Sequence, residues 1–262
     1  MSDSYIVKPV AKALHTLIVL GEAEQDLSLA ELCTCINIPK TSLFRYLQTL
    51  VEYGFVNYDL ATDKYSLGLK VWSLGQIAWS RTRLHELARD HMHRLREEFD
   101  ETVNLGMLDG REVVYLGMAE SHRALRMHAQ LGGRDPVYST SLGRAILAFL
   151  PESEWSRHLP SRLTPMTSRT VTTLAALRAI LIESRQRGYA LDDGENEENA
   201  CCIGAPILDE HNRPIAAISV SAPASRLSAD RIPDVARVVM DTARRISLLT
   251  GYAPVTPTSQ PG

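Results

Sequence analysis

The chain has 262 residues, of which 45% are hydrophobic and 23% are charged, with a formal net charge of -3. These values are typical of a globular protein with two domains, and they exclude binding to nucleic acid through bulk positive charge. The N-terminus, MSDSYIVKPV, lacks the pattern of a secretory signal, and no apolar run reaches the roughly 18 residues that cross a bilayer. We therefore expect a cytoplasmic protein with no membrane partner.

The four cysteines form two close pairs, Cys33 with Cys35 and Cys201 with Cys202. In a reducing cytosol such pairs are expected to be free thiols. Their C-x-C and C-C spacings differ from the C-x2-4-C spacing that is typical of structural zinc sites. The sequence therefore predicts neither a metal site nor a cofactor.

Three short helices are predicted at the N-terminus. Residues 9–20, PVAKALHTLIVL, place one apolar face on the first helix, formed by Val10, Leu14, Leu17 and Ile18. The second helix opens with SLAE, in which Ser28 and Glu31 have the spacing of a capping box. After the short turn NIPK, Leu43, Leu47 and Leu50 form the buried stripe of a third helix that ends near Tyr53.

The outer face of the third helix carries hydrogen-bonding and cationic groups, with no acid until Glu52. Gly54 and the hairpin FVNYDL-ATD-KYSLG follow, which completes a winged helix-turn-helix. This order of elements predicts a DNA-binding domain whose third helix meets base edges. The candidate DNA contacts are Lys40, Thr41, Ser42, Arg45, Tyr46 and Gln48 of this helix and Lys64 of the wing turn.

A connecting helix and an α+β domain are predicted from Leu67 onwards. Apolar stripes run along 67–99, and Gly75 or the SRTR segment divides the connecting helix from the first helix of the second domain. The predicted strands are TVNLGML, REVVYLGMAE, ALRMHAQL (124–131), CCIGAPIL and PIAAISVSA, with DG at 109–110 as a hairpin turn. Helices are predicted for TSLGRAILAFL, PESEWSRHLP, TVTTLAALRAILIESRQRG and the closing segment 228–251.

Four features of the second domain predict a small polar cavity. YSTSLGRA (138–145) enters a helix whose free amides suit an anion, although ordinary capping explains it equally well. LDDGENEENACC (191–202) is an acidic loop, expected to be mobile, without the spacing of an EF-hand. Cys201 and Cys202 point to opposite faces of a strand, whereas Ser219 and Ser221 share one face. No catalytic motif is present, so no catalytic residue is predicted.

The order of these parts resembles the IclR family of bacterial transcriptional regulators. NIPKTSLFRYLQTLVEYGFV is similar to the helix-turn-helix of that family, and YSTSLGRAILAFL and RGYALDDGENEENACCIGAPILDEHNRPIAAISVSAP are similar to its effector domain. The resemblance covers Val7 to Tyr252. It implies a winged helix-turn-helix domain at 1–68, a connecting helix at 69–82, a GAF-like effector domain at 83–252 and a disordered tail at 253–262.

The resemblance also implies an effector pocket and an oligomer. By position, the pocket residues are Ser141, Leu142, Asp192, Cys202, Ser219 and Ser221. Two positions depart from the family pattern, namely the Asn199-Ala200-Cys201 run and Arg144, where lysine is frequent. The implied partners are a double-stranded DNA operator, a small effector such as an organic or aromatic acid, and further copies of the chain as a dimer or a dimer of dimers.

Base chemistry assigns roles to the outer face of the third helix. Arg45 is suited to guanine, Gln48 to adenine and Lys40 to a phosphate. The apolar stripe of Val71, Leu74, Ile77 and Ala78 on the connecting helix is the candidate dimer seam. The leading hypothesis is a ligand-responsive regulator of a neighbouring catabolic operon. The alternatives are an enzyme that acts on the molecule bound in the second domain, and an adaptor that keeps an unused winged helix.

Overall fold

A computed structural model describes residues 5–80 and 83–253 of the chain. The chain divides into two compact units, with the boundary between Arg83 and Leu84. The finer division into a winged helix-turn-helix domain, a connecting helix and an effector domain stays a prediction. The tail predicted at 253–262 lies outside the described residues apart from its first residue.

The first unit is a winged helix-turn-helix, as predicted. Its helices and strands are α1 (Lys8–Glu22), β1 (Leu27–Ser28), α2 (Leu29–Ile36), α3 (Lys40–Glu52), β2 (Val56–Asp59), β3 (Lys64–Leu67) and α4 (Leu69–Ser80). The three strands form an antiparallel sheet in the order β1-β3-β2. The turn that joins β2 to β3, residues 60–63, is the tip of the wing.

Local sequence explains the tight turn between α2 and α3. The Ser28 hydroxyl accepts a hydrogen bond from the Glu31 amide, and the Glu31 carboxylate accepts one from the Ser28 amide at 2.7 Å. The predicted capping box is therefore confirmed. Asn37 ends α2 in the left-handed region at φ 53°, a conformation that asparagine tolerates better than most residues. Pro39 then precedes α3, where a missing N–H costs nothing.

The core of the first unit confirms the buried residues predicted for α3, whereas the apolar face predicted for α1 is largely wrong. Leu32, Leu43 and Leu47 are fully buried in one cluster with Val56 and Tyr65. The apolar face predicted for α1 does not join this cluster as a whole, because Val10, Leu14 and Ile18 are each more than half exposed. The helix instead buries Thr16 and Leu20 and half-buries Leu17.

The second unit is built on a six-stranded antiparallel sheet in the order β6-β5-β4-β9-β8-β7. Its elements are α5 (Leu84–Phe99), β4 (Thr102–Asp109), β5 (Glu112–Ala119), β6 (Arg134–Pro136), α6 (Ser141–Phe149), a 3-10 turn (Glu152–Glu154), α7 (Trp155–His158), α8 (Leu174–Arg187), β7 (Ala190–Asp193), β8 (Ala200–Leu208), β9 (Pro214–Pro223) and α9 (Ile232–Leu249).

Helices cover both faces of this sheet. Helices α5 and α9 pack on one face around Ile203, Ile218 and Val220, whereas α6 and α8 pack on the other face over Ala217. The alternation along β9 follows the period of two for a strand, so Ser219 and Ser221 share the α6 face with Ala217. The result is the predicted GAF-like α/β fold.

The strand predicted at 124–131 is wrong. This segment is irregular, and the edge strand of the sheet is β6, which pairs with β5 through Val113 and Val114. The backbone carbonyl of Met127 is held instead by the Thr102 hydroxyl at 2.6 Å. The side chains of Arg126 and His128 both pair with Glu120. Tertiary contacts therefore override the local strand propensity of the segment.

A close approach between α6 and β8 positions the predicted pocket. Any Cβ added to Gly204 would lie 2.7 Å from the backbone oxygen of Ser141. Only glycine at this point of β8 lets the first turn of α6 lie directly on the sheet.

Candidate functional site

The outer face of α3 is exposed and free of acids along its first half. Lys40, Thr41, Arg45 and Gln48 are exposed, and α3 has no acidic residue in its first turn. Within the described residues, no acidic side chain pairs with Lys40 or Arg45. These two cations without an acidic partner, at the start of α3 and on its outer face, give a local positive surface on a chain of net negative charge. Such a surface is suited to a phosphate backbone.

The other predicted DNA contacts occupy less open positions. Ser42 and Tyr46 are half-buried, and Tyr46 packs against the core of the first unit. Lys64 is half-buried as the first residue of β3, opposite Asp59, and it does not lie in the turn itself. Gln48 lies beside the hydroxyl of Tyr65 in the wing strand.

Sequence reasoning missed Phe44 on the same face. Its side chain is 45% exposed, and it lies three residues after Thr41 and four before Gln48, so the three side chains are neighbours on α3. An exposed aromatic ring among hydrogen-bonding groups suits an apolar contact with a thymine methyl group. The signal was available in the sequence, because Phe44 falls off the buried stripe of Leu43 and Leu47.

The wing is held by local hydrogen bonds. The Asp59 carboxylate accepts from the Ala61 amide at 2.9 Å and from the Thr62 hydroxyl at 2.8 Å. The Tyr58 hydroxyl donates to Asp63 at 2.7 Å. The wing therefore has a defined turn, and its two carboxylates lower its attraction for phosphate.

The second unit contains a cavity of about 470 Å³, a volume typical of small-molecule sites. All six residues predicted for the effector pocket line it, namely Ser141, Leu142, Asp192, Cys202, Ser219 and Ser221. The structure thus brings together positions from α6, β7, β8 and β9. The lining residues that sequence reasoning missed include Asn104, Tyr115, Met127, His128, Gln130, Asp135 and Asn196.

The first turn of α6 presents free amides at one end of the cavity. The Thr140 hydroxyl accepts from the Gly143 amide at 3.1 Å, which identifies Thr140 as the N-cap. Among the described residues, the amides of Ser141 and Leu142 have no hydrogen-bond acceptor. Unpaired amides at a helix N-terminus, together with the helix dipole, favour a carboxylate or another anion.

Asp192 is buried on the wall of the cavity. Only 2% of its surface is exposed, and its Oδ1 accepts from the amides of Glu195 at 2.8 Å and Asn196 at 3.2 Å. Burial raises the pKa of Asp192 to about 7, although the two amide hydrogen bonds and the charge of Arg144 act to lower it. Near neutral pH this carboxyl group is therefore protonated in a large fraction of molecules.

The acidic loop 191–200 is held in place by an ion pair and hydrogen bonds, whereas a mobile loop was expected. The buried guanidinium of Arg144 pairs with Glu195, with Nη2 at 2.7 Å from Oε1. The hydroxyls of Thr167 and Thr170 donate to the carbonyls of Gly194 and Glu195 at 2.7 and 2.6 Å. The floor of the cavity is therefore largely preformed.

Hydroxyl, thiol and amide groups form the polar side of the cavity. Cys202 and Ser221 are cross-strand partners, and burial raises the pKa of the Cys202 thiol well above its usual value. Asn104 donates from Nδ2 to the Ser221 hydroxyl at 3.2 Å. Tyr115 donates to Asp135 at 2.7 Å. Ser219 has no side-chain partner within the described residues.

The polar groups that line the cavity can hold a ligand through hydrogen bonds. In the part of the chain that the structure describes, no group of three or more His, Cys, Asp and Glu side chains is arranged to hold a metal ion. None of the described helices is long and apolar enough to cross a membrane. A winged helix-turn-helix with an open, cationic reading helix, joined to an α/β unit with a preformed cavity, defines a ligand-binding transcriptional regulator.

Comparison with known proteins gives the family. Residues 76–248 match the model of the bacterial transcriptional regulator IclR C-terminal domain, and residues 9–60 match the IclR helix-turn-helix domain. The HTH-type transcriptional regulator KdgR of Escherichia coli (strain K12) is 34% identical over 247 residues, which cover 94% of each chain. The chain belongs to the IclR family of bacterial transcriptional regulators. It is a regulator and not an enzyme.

Solved structures of relatives have the same fold. The Thermotoga maritima IclR structure matches with a TM-score of 0.78 at 32% identity, over 94% of this chain and 100% of that one. An IclR homologue from Microbacterium hydrocarbonoxydans, solved in complex with 4-hydroxybenzoate, matches with a TM-score of 0.79 at 26% identity, over 92% of this chain and 98% of that one.

Proposed function

We propose that this regulator binds a two-fold symmetric operator as a dimer or a dimer of dimers, and that a small carboxylic acid in the cavity changes its affinity for DNA. The observation that carries the DNA-binding part is the exposed, acid-free face of α3 around Arg45. Arg45 is suited to guanine O6 and N7, and Gln48 to adenine, while Lys40 at the start of the helix is suited to a phosphate.

Exposed apolar side chains support the dimer. Val10, Leu14 and Ile18 on α1 and Leu74 on α4 are between 44% and 56% exposed, which is unusual for aliphatic residues at helical spacing. A second copy of the chain would cover them, because one winged helix buries too little surface for tight and selective binding to DNA. Of the predicted seam, Val71 is half-buried, and the side chain of Ala78 lies outside the described residues.

An acid as effector is supported by the amides at the N-terminus of α6 and by Asp192. The two free amides provide a place for a carboxylate, and a protonated Asp192 does not repel it. The homologue in complex with 4-hydroxybenzoate shows that one relative of the same fold accepts an aromatic acid. An effector that binds the two functional states unequally changes operator occupancy, with a coupling of typically about 1–3 kcal/mol.

A footprint on the DNA beside the gene for this protein tests the proposal. We expect protection of two half-sites related by a two-fold axis, with centres about 34 Å apart or a multiple of that distance. The protected operator should lie near a catabolic operon and should be released or bound more tightly when the acid is added. A footprint of one half-site, bound by one chain, would overturn the dimer proposal.

A further inference from the structure

An aromatic ring is exposed on α3, the recognition helix of the first unit. Phe44 is 45% exposed, whereas Leu43 and Leu47 beside it are fully buried in the core of that unit. Contact of a large apolar side chain with water is unfavourable until a partner covers it. Phe44 is therefore an apolar point on a surface that otherwise carries hydrogen-bonding and cationic groups.

The rotation of the helix places Phe44 beside the residues that face DNA. Successive residues of an α-helix are about 100° apart, so Phe44 lies between the buried Leu43 and the outward Arg45. Thr41, three residues earlier, and Gln48, four residues later, are its neighbours on the helix surface, and both are exposed. The side of α3 that carries Phe44 is thus continuous with the predicted reading face.

The position of Phe44 along α3 is one that meets base edges. Phe44 comes four residues after Lys40, with which the helix begins, and the N-terminal residues of a recognition helix are those that enter the major groove. Among the described residues, Lys40 and Arg45 have no acidic partner, so this end of α3 is positively charged. The partner with the complementary charge is the phosphate-lined groove of DNA.

The base edges in the major groove include one apolar group. Each base pair presents its donors and acceptors there, and thymine adds the methyl group at C5. Hydrogen bonds do not distinguish thymine from uracil, because both bases present the same O4 acceptor. A phenyl ring has no hydrogen-bonding group, so the feature of the groove to which Phe44 is complementary is the thymine methyl group.

We propose that Phe44 determines part of the operator specificity, by covering the C5 methyl group of a thymine in each half-site. The inference rests on the proposed function, because it assigns a base to the helix that reads the operator. It adds a contact of a kind that the polar ends of Arg45 and Gln48 do not make. Each half-site should then contain a thymine that is read through its methyl group and not through its hydrogen bonds.

Deoxyuridine in place of thymine removes this methyl group and leaves base pairing unchanged. The operator is selected from random duplexes by the full-length wild-type protein, and each thymine of the half-site is then replaced in turn. Gel shifts at fixed salt should show a position at which affinity falls about fourfold per half-site, the ratio that corresponds to burial of one methyl group. A loss below about twofold at every thymine would overturn the inference, as would a half-site without thymine.

Two variants assign the effect to Phe44. Phe44→Ala removes the ring, so the ratio of its affinities for the thymine and deoxyuridine operators should fall to about one. Tyr53→Ala is the matched control, since Tyr53 is an aromatic residue, 69% exposed, at the C-terminal end of α3, and it should keep the wild-type ratio. A Phe44→Ala protein that keeps the wild-type ratio would overturn the role of Phe44.

The test does not depend on equal stability of the variants. Phe44 is exposed, so Phe44→Ala is expected to fold, and the ratio compares two DNAs on the same protein, so a loss of active protein cancels. Phe44→Gln also removes the ring and favours a helix, which gives a second variant for the same measurement.

The outcomes separate this inference from the proposed function. If the selected sequence lacks two-fold symmetry, the operator proposal is wrong, and the thymine scan on that sequence still tests Phe44. If a symmetric operator is bound without dependence on any thymine methyl group, the inference is wrong and the operator proposal stands. If Phe44→Ala lowers affinity equally for both DNAs, the ring contacts the sugar-phosphate backbone or a second copy of the chain, and the inference is again wrong.

Discussion

Arg144 and Glu195 form a buried ion pair between the first turn of α6 and the acidic loop of the cavity. The Arg144 side chain is 1% exposed and the Glu195 side chain 13%. The same guanidinium also donates to the carbonyls of Tyr138 at 2.7 Å and Leu191 at 2.9 Å. A single side chain thus joins the strand, the loop and the helix that surround the site, and its own donors are largely satisfied.

Removing the acid of this pair should destabilise the second unit. Glu195→Gln leaves the Arg144 charge buried without its counterion, so we expect a loss of about 3 kcal/mol in the free energy of unfolding. Glu152→Gln is a matched control, since Glu152 pairs with Arg178 on the surface and exposed pairs contribute about 0–1 kcal/mol. Chemical unfolding at pH 7 measures both, and equal losses would show that burial does not strengthen the dependence on Glu195.

Asp192 should make stability depend on pH. Its pKa of about 7 in the folded protein lies above the ordinary value of 3.8, so between about pH 4 and 7 the folded state holds a proton that the unfolded chain has released. The free energy of unfolding should therefore fall as the pH rises through this window and level off above it. Asp192→Asn removes this contribution. Its free energy of unfolding at pH 8 should therefore exceed that of the wild type by a few kcal/mol, because each pKa unit corresponds to about 1.4 kcal/mol.

Chemical unfolding of both proteins at pH 4, 6 and 8 checks this expectation. The difference between them isolates Asp192, because all other groups titrate in both proteins. A difference that is constant with pH would show that Asp192 remains ionised throughout, and that its burial is offset by its hydrogen bonds.

The spacing of apolar residues correctly predicted those faces of helices and strands that the local sequence determines. Leu43 and Leu47 defined the inner face of α3, and alternation placed Ser219 and Ser221 on one face of β9. The irregular segment at 124–131 was missed because a distant residue, Thr102, holds its backbone. The amphipathic pattern of α1 could not show that Val10, Leu14 and Ile18 remain exposed.

The candidate site could likewise be predicted only where the local sequence determines it. The six predicted residues line one cavity, since the strands and the helix that carry them were recognised. The pinned loop was not foreseen, because Thr167 and Thr170 reach it from about 25 residues away in sequence. Asn104 was not among the predicted pocket residues, although it lines the cavity. The side-chain partner of its amide nitrogen, Ser221, is 117 residues distant in sequence.

Arg45 should dominate specific DNA binding. Arg45→Ala is expected to weaken operator binding by about 1–3 kcal/mol per half-site, and by about twice that in a dimer, because a bidentate contact with guanine is lost. Arg89→Ala is the matched control, since it removes the same charge from an exposed position of the second unit. Gel shifts at fixed salt measure both variants. Normal operator affinity of a folded Arg45→Ala protein would exclude α3 as the reading helix.

The dimer seam can be located with single charges on α4. Leu74 is 44% exposed, and Trp72, two positions away and therefore on another side of the helix, is 65% exposed. Leu74→Glu should shift the protein towards monomers in sedimentation at micromolar concentration and weaken operator binding, because a buried unpaired charge is costly. Trp72→Glu should leave the dimer intact. The reverse result would place the seam on the opposite stripe of α4.

Ser219 and Ser221 should differ in what they contribute. The Ser219 hydroxyl faces the cavity without a partner among the described residues, whereas Ser221 accepts a hydrogen bond from Asn104. We therefore expect Ser219→Ala to change the free energy of unfolding by less than about 1 kcal/mol, while Ser221→Ala costs about 1–3 kcal/mol because it leaves a buried amide unpaired. Both variants should bind DNA normally without ligand.

The effector response then tests whether Ser219 contacts the ligand. With a carboxylic acid that alters operator binding by the wild-type protein, Ser219→Ala should need about tenfold more of the acid for the same change in a gel shift, since one hydrogen bond to the ligand is lost. The comparison is made at equal protein and salt concentration, with unfolding curves to confirm that the cavity is intact. A Ser219→Ala protein that responds at the wild-type concentration of acid would show that the effector does not lie against β9.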